Sequence, residues 1–273
     1  MPYIETTDKT QLYYKDWGAG RPVILLHGWP LSSDSWDDQS LAFANAGLRV
    51  IAYDRRGFGR SSQPWDGYNY DTLADDLAAV IDRTGAQDAS IVGFSMGGGE
   101  VARYMSRHGG KNVKQAALVA SIVPYMLQTP DNPNGVPKET FDEMAAGMKE
   151  DRAKFFASFF ETFYGVGLMS QPVSQEVVQW SRQVAMMAGL KPTLACAEAF
   201  ATTDFRSELS SFNAPTLIIH GTSDQTVPIE ASAREAEKGI RGAHLIEYDG
   251  APHGLLASHK IQVTNDLLRF LKG

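Results

Sequence analysis

Apolar and polar positions alternate between two rhythms up to about residue 123, and only one of them continues after it. Tyr3-Ile4-Glu5 and Gln11-Leu12-Tyr13-Tyr14-Lys15-Asp16-Trp17 alternate in twos around the polar tip Thr7-Asp8-Lys9-Thr10, which predicts a hairpin at a sheet edge. Residues 22–26, 48–53, 89–92 and 115–122 are apolar runs of the kind that forms strands buried on both faces. Between them the spacing is helical. Residues 32–47 would bury Trp36, Leu41, Phe43 and Ala44. Residues 70–84 would bury Leu73, Ala74, Leu77, Val80 and Ile81, with Asp71 or Thr72 as cap and Gly85 as stop. After residue 97, Val101, Ala102 and Met105 fall on one side and Glu100 and Arg103 on the other. Strand and helix in regular alternation predict an α/β fold, a mostly parallel twisted sheet with helices on both faces.

From Pro124 the rhythm changes. Pro130, Pro133, Asn134-Gly135 and Pro137 mark a long connection. Residues 138–164 and 173–201 then read as helices only, rich in Met and Phe. The sheet pattern returns at 214–221, followed by a helix at 230–238, a last strand at 243–248 and a closing helix at 259–271. The expected organisation is a core of residues 1–123 and 206–273 with a helical cap, 124–205, inserted into it. Such an insert follows the C-terminal end of a strand, where open α/β sheets bind ligands.

Composition narrows the classes. A chain of 273 residues, 43% apolar and 21% charged, has the balance of a soluble globular protein with a substantial core. The net charge of −7 argues against nucleic acid and anionic membranes as partners. One cysteine, Cys196, excludes an internal disulfide and reads as a small buried residue. The start of the chain has neither a basic stretch nor an apolar core of a leader, and no run nears the ~18 apolar residues of a membrane span. A cytoplasmic protein is expected, and a homo-oligomer is compatible with the sequence.

The candidate chemistry sits where strands end. Gly93-Phe94-Ser95-Met96-Gly97 is a G-x-S-x-G pattern between a strand and a helix. That arrangement lifts a serine clear of the sheet on a strained turn and sets the next N–H, that of Met96, to bind a developing oxyanion. A serine hydroxyl needs a base, and the base an acid to hold it. Asp224 and His253 each follow a later buried strand, and Ser…Asp…His is the order this architecture requires. His27 reads as a hydrogen-bonded residue that fixes the loop after the strand ending at Leu26. In that loop the Trp29 N–H is the second oxyanion candidate, because Pro30 has none. Asp54, Arg55 and Arg56 are expected to pair with one another at the rim. Neither H-E-x-x-H nor C-x-x-C occurs, which speaks against a metal hydrolase.

With His27-Gly28-Trp29, Asp54-Arg55-Arg56-Gly57-Phe58-Gly59-Arg60-Ser61, Gly93-Phe94-Ser95-Met96-Gly97-Gly98-Gly99 and Ala251-Pro252-His253-Gly254, the chain resembles the α/β-hydrolases over nearly its whole length. Within them it is similar to the bacterial aryl esterases and cofactor-free, non-haem haloperoxidases, with a related branch of γ-lactamases. The resemblance implies a serine esterase that uses no haem, metal or flavin. It acts on a small ester or carboxylic acid, with water or hydrogen peroxide as second substrate, and the peracid so released oxidises halide. Pro30 resembles the perhydrolase-competent members, in which a proline here moves a backbone carbonyl toward the peroxide. Trp29, Pro30, Ile122, Met126, Phe159, Phe163 and Val227 are expected to form an apolar acyl and alcohol pocket. A lactam or amide hydrolase with the same three residues, and a ligand-binding protein on a hydrolase scaffold, are the alternatives.

Overall fold

The apolar runs become strands β1 (Tyr3–Glu5), β2 (Gln11–Gly18), β3 (Arg21–Leu26), β4 (Leu48–Tyr53), β5 (Ala89–Phe94), β6 (Val113–Val119), β7 (Thr216–Gly221) and β8 (His244–Tyr248). The computed structural model describes residues 2–273, and among these the strands form one sheet in the order β1-β2-β4-β3-β5-β6-β7-β8. β1 with β2 and β2 with β4 are antiparallel, and every later pair is parallel. The predicted edge hairpin is therefore present and continues the sheet. Ile24, Leu25, Ile91, Val92, Leu118 and Ile219 are fully buried at the centre, which is why their strands read as unbroken apolar runs.

The helices are α1 (Asp37–Asn45), α2 (Tyr70–Thr84), α3 (Met96–Arg107), α4 (Lys138–Tyr164), α5 (Gln175–Met187), α6 (Leu190–Thr202), α7 (Ala233–Gly239), α8 (Leu255–Ser258) and α9 (Lys260–Lys272). Several details depart from expectation. A 3-10 turn, Ser33–Trp36, precedes α1. The buried face then runs through Trp36, Gln39, Ser40 and Phe43, so Leu41 points away from it and is 59% exposed. The cap of α2 is Asn69, not Asp71 or Thr72: its Oδ1 accepts the Thr72 N–H at 3.0 Å from an extended backbone. Gly85 ends that helix at φ +64°, as predicted.

Between β6 and β7 lie α4, α5 and α6. The stretch read as one helix, 173–201, is two, because the chain turns extended at Ala188 and Gly189. Pro192 falls in the first turn of α6, where a missing N–H leaves no helical bond unmade. α4 is interrupted at Asp151 (φ −150°, ψ 90°), whose carboxylate accepts the Lys154 N–H at 2.9 Å and so caps the second half. These helices reach the sheet through Trp29, whose ring packs on Phe156, Phe159 and Phe200. Among the described residues no single helix is long and apolar enough to cross a membrane.

Candidate active site

β5 ends at Phe94 and α3 begins at Met96, which leaves Ser95 alone at the corner with φ +53° and ψ −118°. For a residue with a Cβ this conformation costs on the order of 1–3 kcal/mol, and the surroundings must impose it. They do so by backbone contact. A Cβ on Gly93 would stand 2.5 Å from the Gly97 carbonyl oxygen, and one on Gly97 2.6 Å from that of Leu26. The Ser95 N–H donates to the Val119 carbonyl at 2.8 Å, and its own carbonyl accepts the Gly98 N–H at 2.9 Å.

Ser95 Oγ lies 3.0 Å from His253 Nε2, and His253 Nδ1 lies 2.6 Å from Asp224 Oδ2. The three residues follow β5, β7 and β8, whose parallel direction brings their C-terminal loops to one side. The imidazole is buried, with the Phe94 ring 5.3 Å from it, centroid to centroid, and the Phe163 ring 4.8 Å away, edge-on. Asp224 is fully engaged. Oδ1 accepts the Thr226 and Val227 N–H groups at 2.9 and 2.8 Å. Oδ2 also has His220 Nε2 at 3.2 Å. Burial works to raise the Asp224 pKa, but the charge of His253 and the hydrogen bonds from His220 and His253 outweigh it and hold the carboxyl well below the usual range.

Trp29 follows β3 and Met96 heads α3, and their backbone N–H groups donate to no other described group. Trp29, Ile122, Met126, Phe159 and Val227 line one cavity of about 240 Å³ that also includes Ser95. Two expected members lie elsewhere. Pro30 is buried outside this wall, and Phe163 turns to His253. The helical period explains Phe163: Phe155, Ser158, Phe159 and Thr162 share the cavity face of α4, whereas Phe156, Phe160 and Phe163 lie about a quarter-turn round, against the core. Phe141, Met144 and Phe200 complete an apolar wall, with Gln225 and Thr226 at the Asp224 loop. The i, i+3, i+4, i+7 spacing in 155–162 was the signal that could have identified this face.

The family described as alpha/beta hydrolase fold matches residues 21–260. The chain belongs to this family. It is 43% identical to the bifunctional esterase/perhydrolase of Acinetobacter calcoaceticus, over the whole of both chains. It is 43% identical to a non-heme haloperoxidase of Rhodococcus erythropolis, again over all of both. The crystal structure of bromoperoxidase from Bacillus anthracis superposes with a TM-score of 0.96 at 42% identity, covering 100% of this chain and 99% of that one.

Below the cavity this α/β hydrolase holds charges whose pairing differs from the sequence reading. Asp54, Arg55 and Arg56 do not pair with one another; each faces a separate element. Asp54 accepts from Ser33 and Arg60, with Arg60 Nε at 2.8 Å. Arg56 is held by Asp76 on α2 at 2.6 and 2.7 Å and by Asp8. Arg55 pairs with Glu100 on α3, Nε to Oε1 at 2.5 Å, and the Tyr53 hydroxyl donates to Oε2 at 2.7 Å. Glu100 is thus buried, not on the polar face assigned to it, because α3 packs on the sheet on one side and on α2 on the other. Cys196 is buried beside this network, and burial pushes its thiol up to about 12 despite the Arg55 charge. Among the described residues no cluster of three or more His, Cys, Asp or Glu could hold a metal ion.

Proposed function

We propose that this enzyme is a serine ester hydrolase for small acyl or aryl esters that passes its acyl group to water or to hydrogen peroxide. Ser95 Oγ attacks the ester carbonyl while His253 Nε2 takes its proton, and Asp224 steadies the resulting imidazolium. The Trp29 and Met96 N–H groups receive the oxyanion; one such donor is worth about 3–4 kcal/mol in the transition state. His253 then returns the proton to the leaving alcohol. In the second half it takes a proton from water or peroxide, whose oxygen attacks the acyl carbon and releases Ser95 as the proton returns to it. Water yields the acid and peroxide the peracid, which transfers oxygen to halide. Residues 124–205 act as the cap that closes the acyl pocket, and the buried Cys196 suits a reducing, cytoplasmic setting.

One observation carries this reading: the unbroken Ser95–His253–Asp224 hydrogen-bond chain opening on an apolar cavity. The similar esterase/perhydrolase and haloperoxidase support the peroxide branch. The test is a panel of aryl and alkyl acetates with and without peroxide, followed for acid, peracid and bromination of a dye. Wild type should form all three and Ser95→Ala none. Ester turnover that survives in Ser95→Ala overturns the reading.

A further inference from the structure

We propose that His27 is a positioning residue that aims the Trp29 N–H at the oxyanion by gripping the opposite end of the same peptide plane. The inference rests on the oxyanion role given to Trp29 above. The Gly28 carbonyl and the Trp29 N–H belong to one planar trans peptide unit and point in opposite directions. Fixing the first therefore fixes the second. The Gly28 oxygen lies 2.9 Å from His27 Nδ1 and accepts the Leu31 N–H at 3.0 Å.

The ring itself has one orientation and one tautomer. The Arg55 backbone N–H donates to His27 Nε2 at 2.9 Å. A backbone N–H only donates, so Nε2 is the acceptor and the ring proton sits on Nδ1, facing the Gly28 oxygen. Arg55 Nη1 lies 3.3 Å from Nδ1, but two donors meet there, so the approach is a contact and not a hydrogen bond. Arg55 Nη2 donates to the His27 carbonyl at 2.5 Å, and Glu100 holds the guanidinium from α3. The N–H of Met96 opens that same helix, so one buried network underlies both oxyanion donors. Burial first, and the Arg55 charge second, push the imidazole down to about 3, in keeping with the neutral ring that the Arg55 backbone N–H requires. A donor on the Gly28 carbonyl also polarises the peptide and strengthens the N–H at its other end.

The wild-type enzyme tests this directly. In protein carrying ¹⁵N-histidine, long-range ¹⁵N–¹H correlations should show His27 neutral with its proton on Nδ1. An Nε2–H ring or an imidazolium overturns the proposal. Variants add the catalytic readout. In His27→Asn the amide nitrogen stands in for Nδ1; in His27→Gln it stands nearer to Nε2. On an aryl acetate the Gln variant should lose about 10- to 100-fold in kcat with little change in KM, and the Asn variant should recover most of it. Affinity for a trifluoromethyl ketone, which forms the tetrahedral oxyanion, should fall with kcat while that for the product acid holds. An unchanged kcat in the Gln variant, or equal weakening of ketone and acid, overturns the proposal. If the Gln variant does not fold, the wild-type tautomer still decides. A failed ester assignment shows separately, as wild-type protein without turnover of any ester.

Discussion

The Phe163 ring stands edge-on to the His253 imidazole, 4.8 Å between centroids at 80°, while the Phe163 carbonyl accepts the N–H of Gly254 at 2.8 Å. The last turn of α4 thus touches the ring at 253 with a side chain and steadies the following residue with its backbone. Phe163→Leu should lower kcat on an aryl acetate by roughly tenfold with KM little changed, because the ring loses its edge contact while the cavity wall stays intact. Steady-state kinetics check this; a change confined to KM contradicts it.

Asp224 accepts hydrogen bonds from Thr226, Val227 and His253 and has His220 Nε2 beside it, so replacing its charge while keeping its shape should be severe. Asp224→Asn should reduce kcat by about 10⁴-fold, since the amide favours the wrong tautomer of His253. Ser95→Ala should abolish labelling by a fluorophosphonate probe that modifies the wild type. Gel fluorescence and burst kinetics read both.

The depressed Asp224 pKa also has a consequence for stability. The folded carboxyl lies below its unfolded value of about 3.9, so its contribution is complete above that value and is lost as pH falls through the folded pKa. Urea unfolding of the wild type should therefore weaken as the pH falls below about 5, and Asp224→Asn should make that acid limb shallower. An unchanged limb would place the pH dependence in other carboxylates, such as Asp8, which is also held low.

Glu100 and Arg55 are each 1% exposed or less. Removing one charge leaves the other buried and uncompensated, so Glu100→Gln should cost about 3–5 kcal/mol of stability in urea unfolding. A loss under about 1 kcal/mol would mean that the amide oxygen left by Glu100→Gln, together with the His27 carbonyl, suffices to hold Arg55.

Cys196 should be inert in the native protein. With its thiol pushed up to about 12 and no surface exposed, iodoacetamide at pH 8.5 should leave it unmodified for hours. In denaturant it should react within minutes, as a free thiol near pKa 8.5 does. Mass spectrometry after quenching reads the difference.

Residues whose role follows from strand ends were legible in the chain. Ser95 and Asp224 follow the buried strands β5 and β7. His253 follows β8, an edge strand buried only at Tyr248 and so not the buried strand expected there. The three appear in the required order, and the closely packed Gly93 and Gly97 stood out as glycines. Groups whose role depends on what lies on both sides of an element were not. Glu100 takes an outward position on α3 when that helix is considered alone, yet α2 and the sheet enclose it and Arg55 neutralises it. Phe163 and Phe159 are one turn apart and look equivalent, but the α4 face that meets the cavity is centred near residues 155 and 162. Leu41 looked buried because the 3-10 turn ahead of α1 sets a phase that hydrophobicity alone does not reveal.

The break at Asp151 divides α4 into two pieces with different duties. The piece before it carries Phe141 and Met144 into the cavity wall, and the piece after it carries Phe159 together with the hold on residues 253 and 254. An engineer grafting this helix from a relative therefore has a seam at this aspartate. Exchange upstream of the seam re-tailors which acyl groups fit, whereas a graft that runs past it also retimes proton transfer, so selectivity and turnover would no longer be tuned apart.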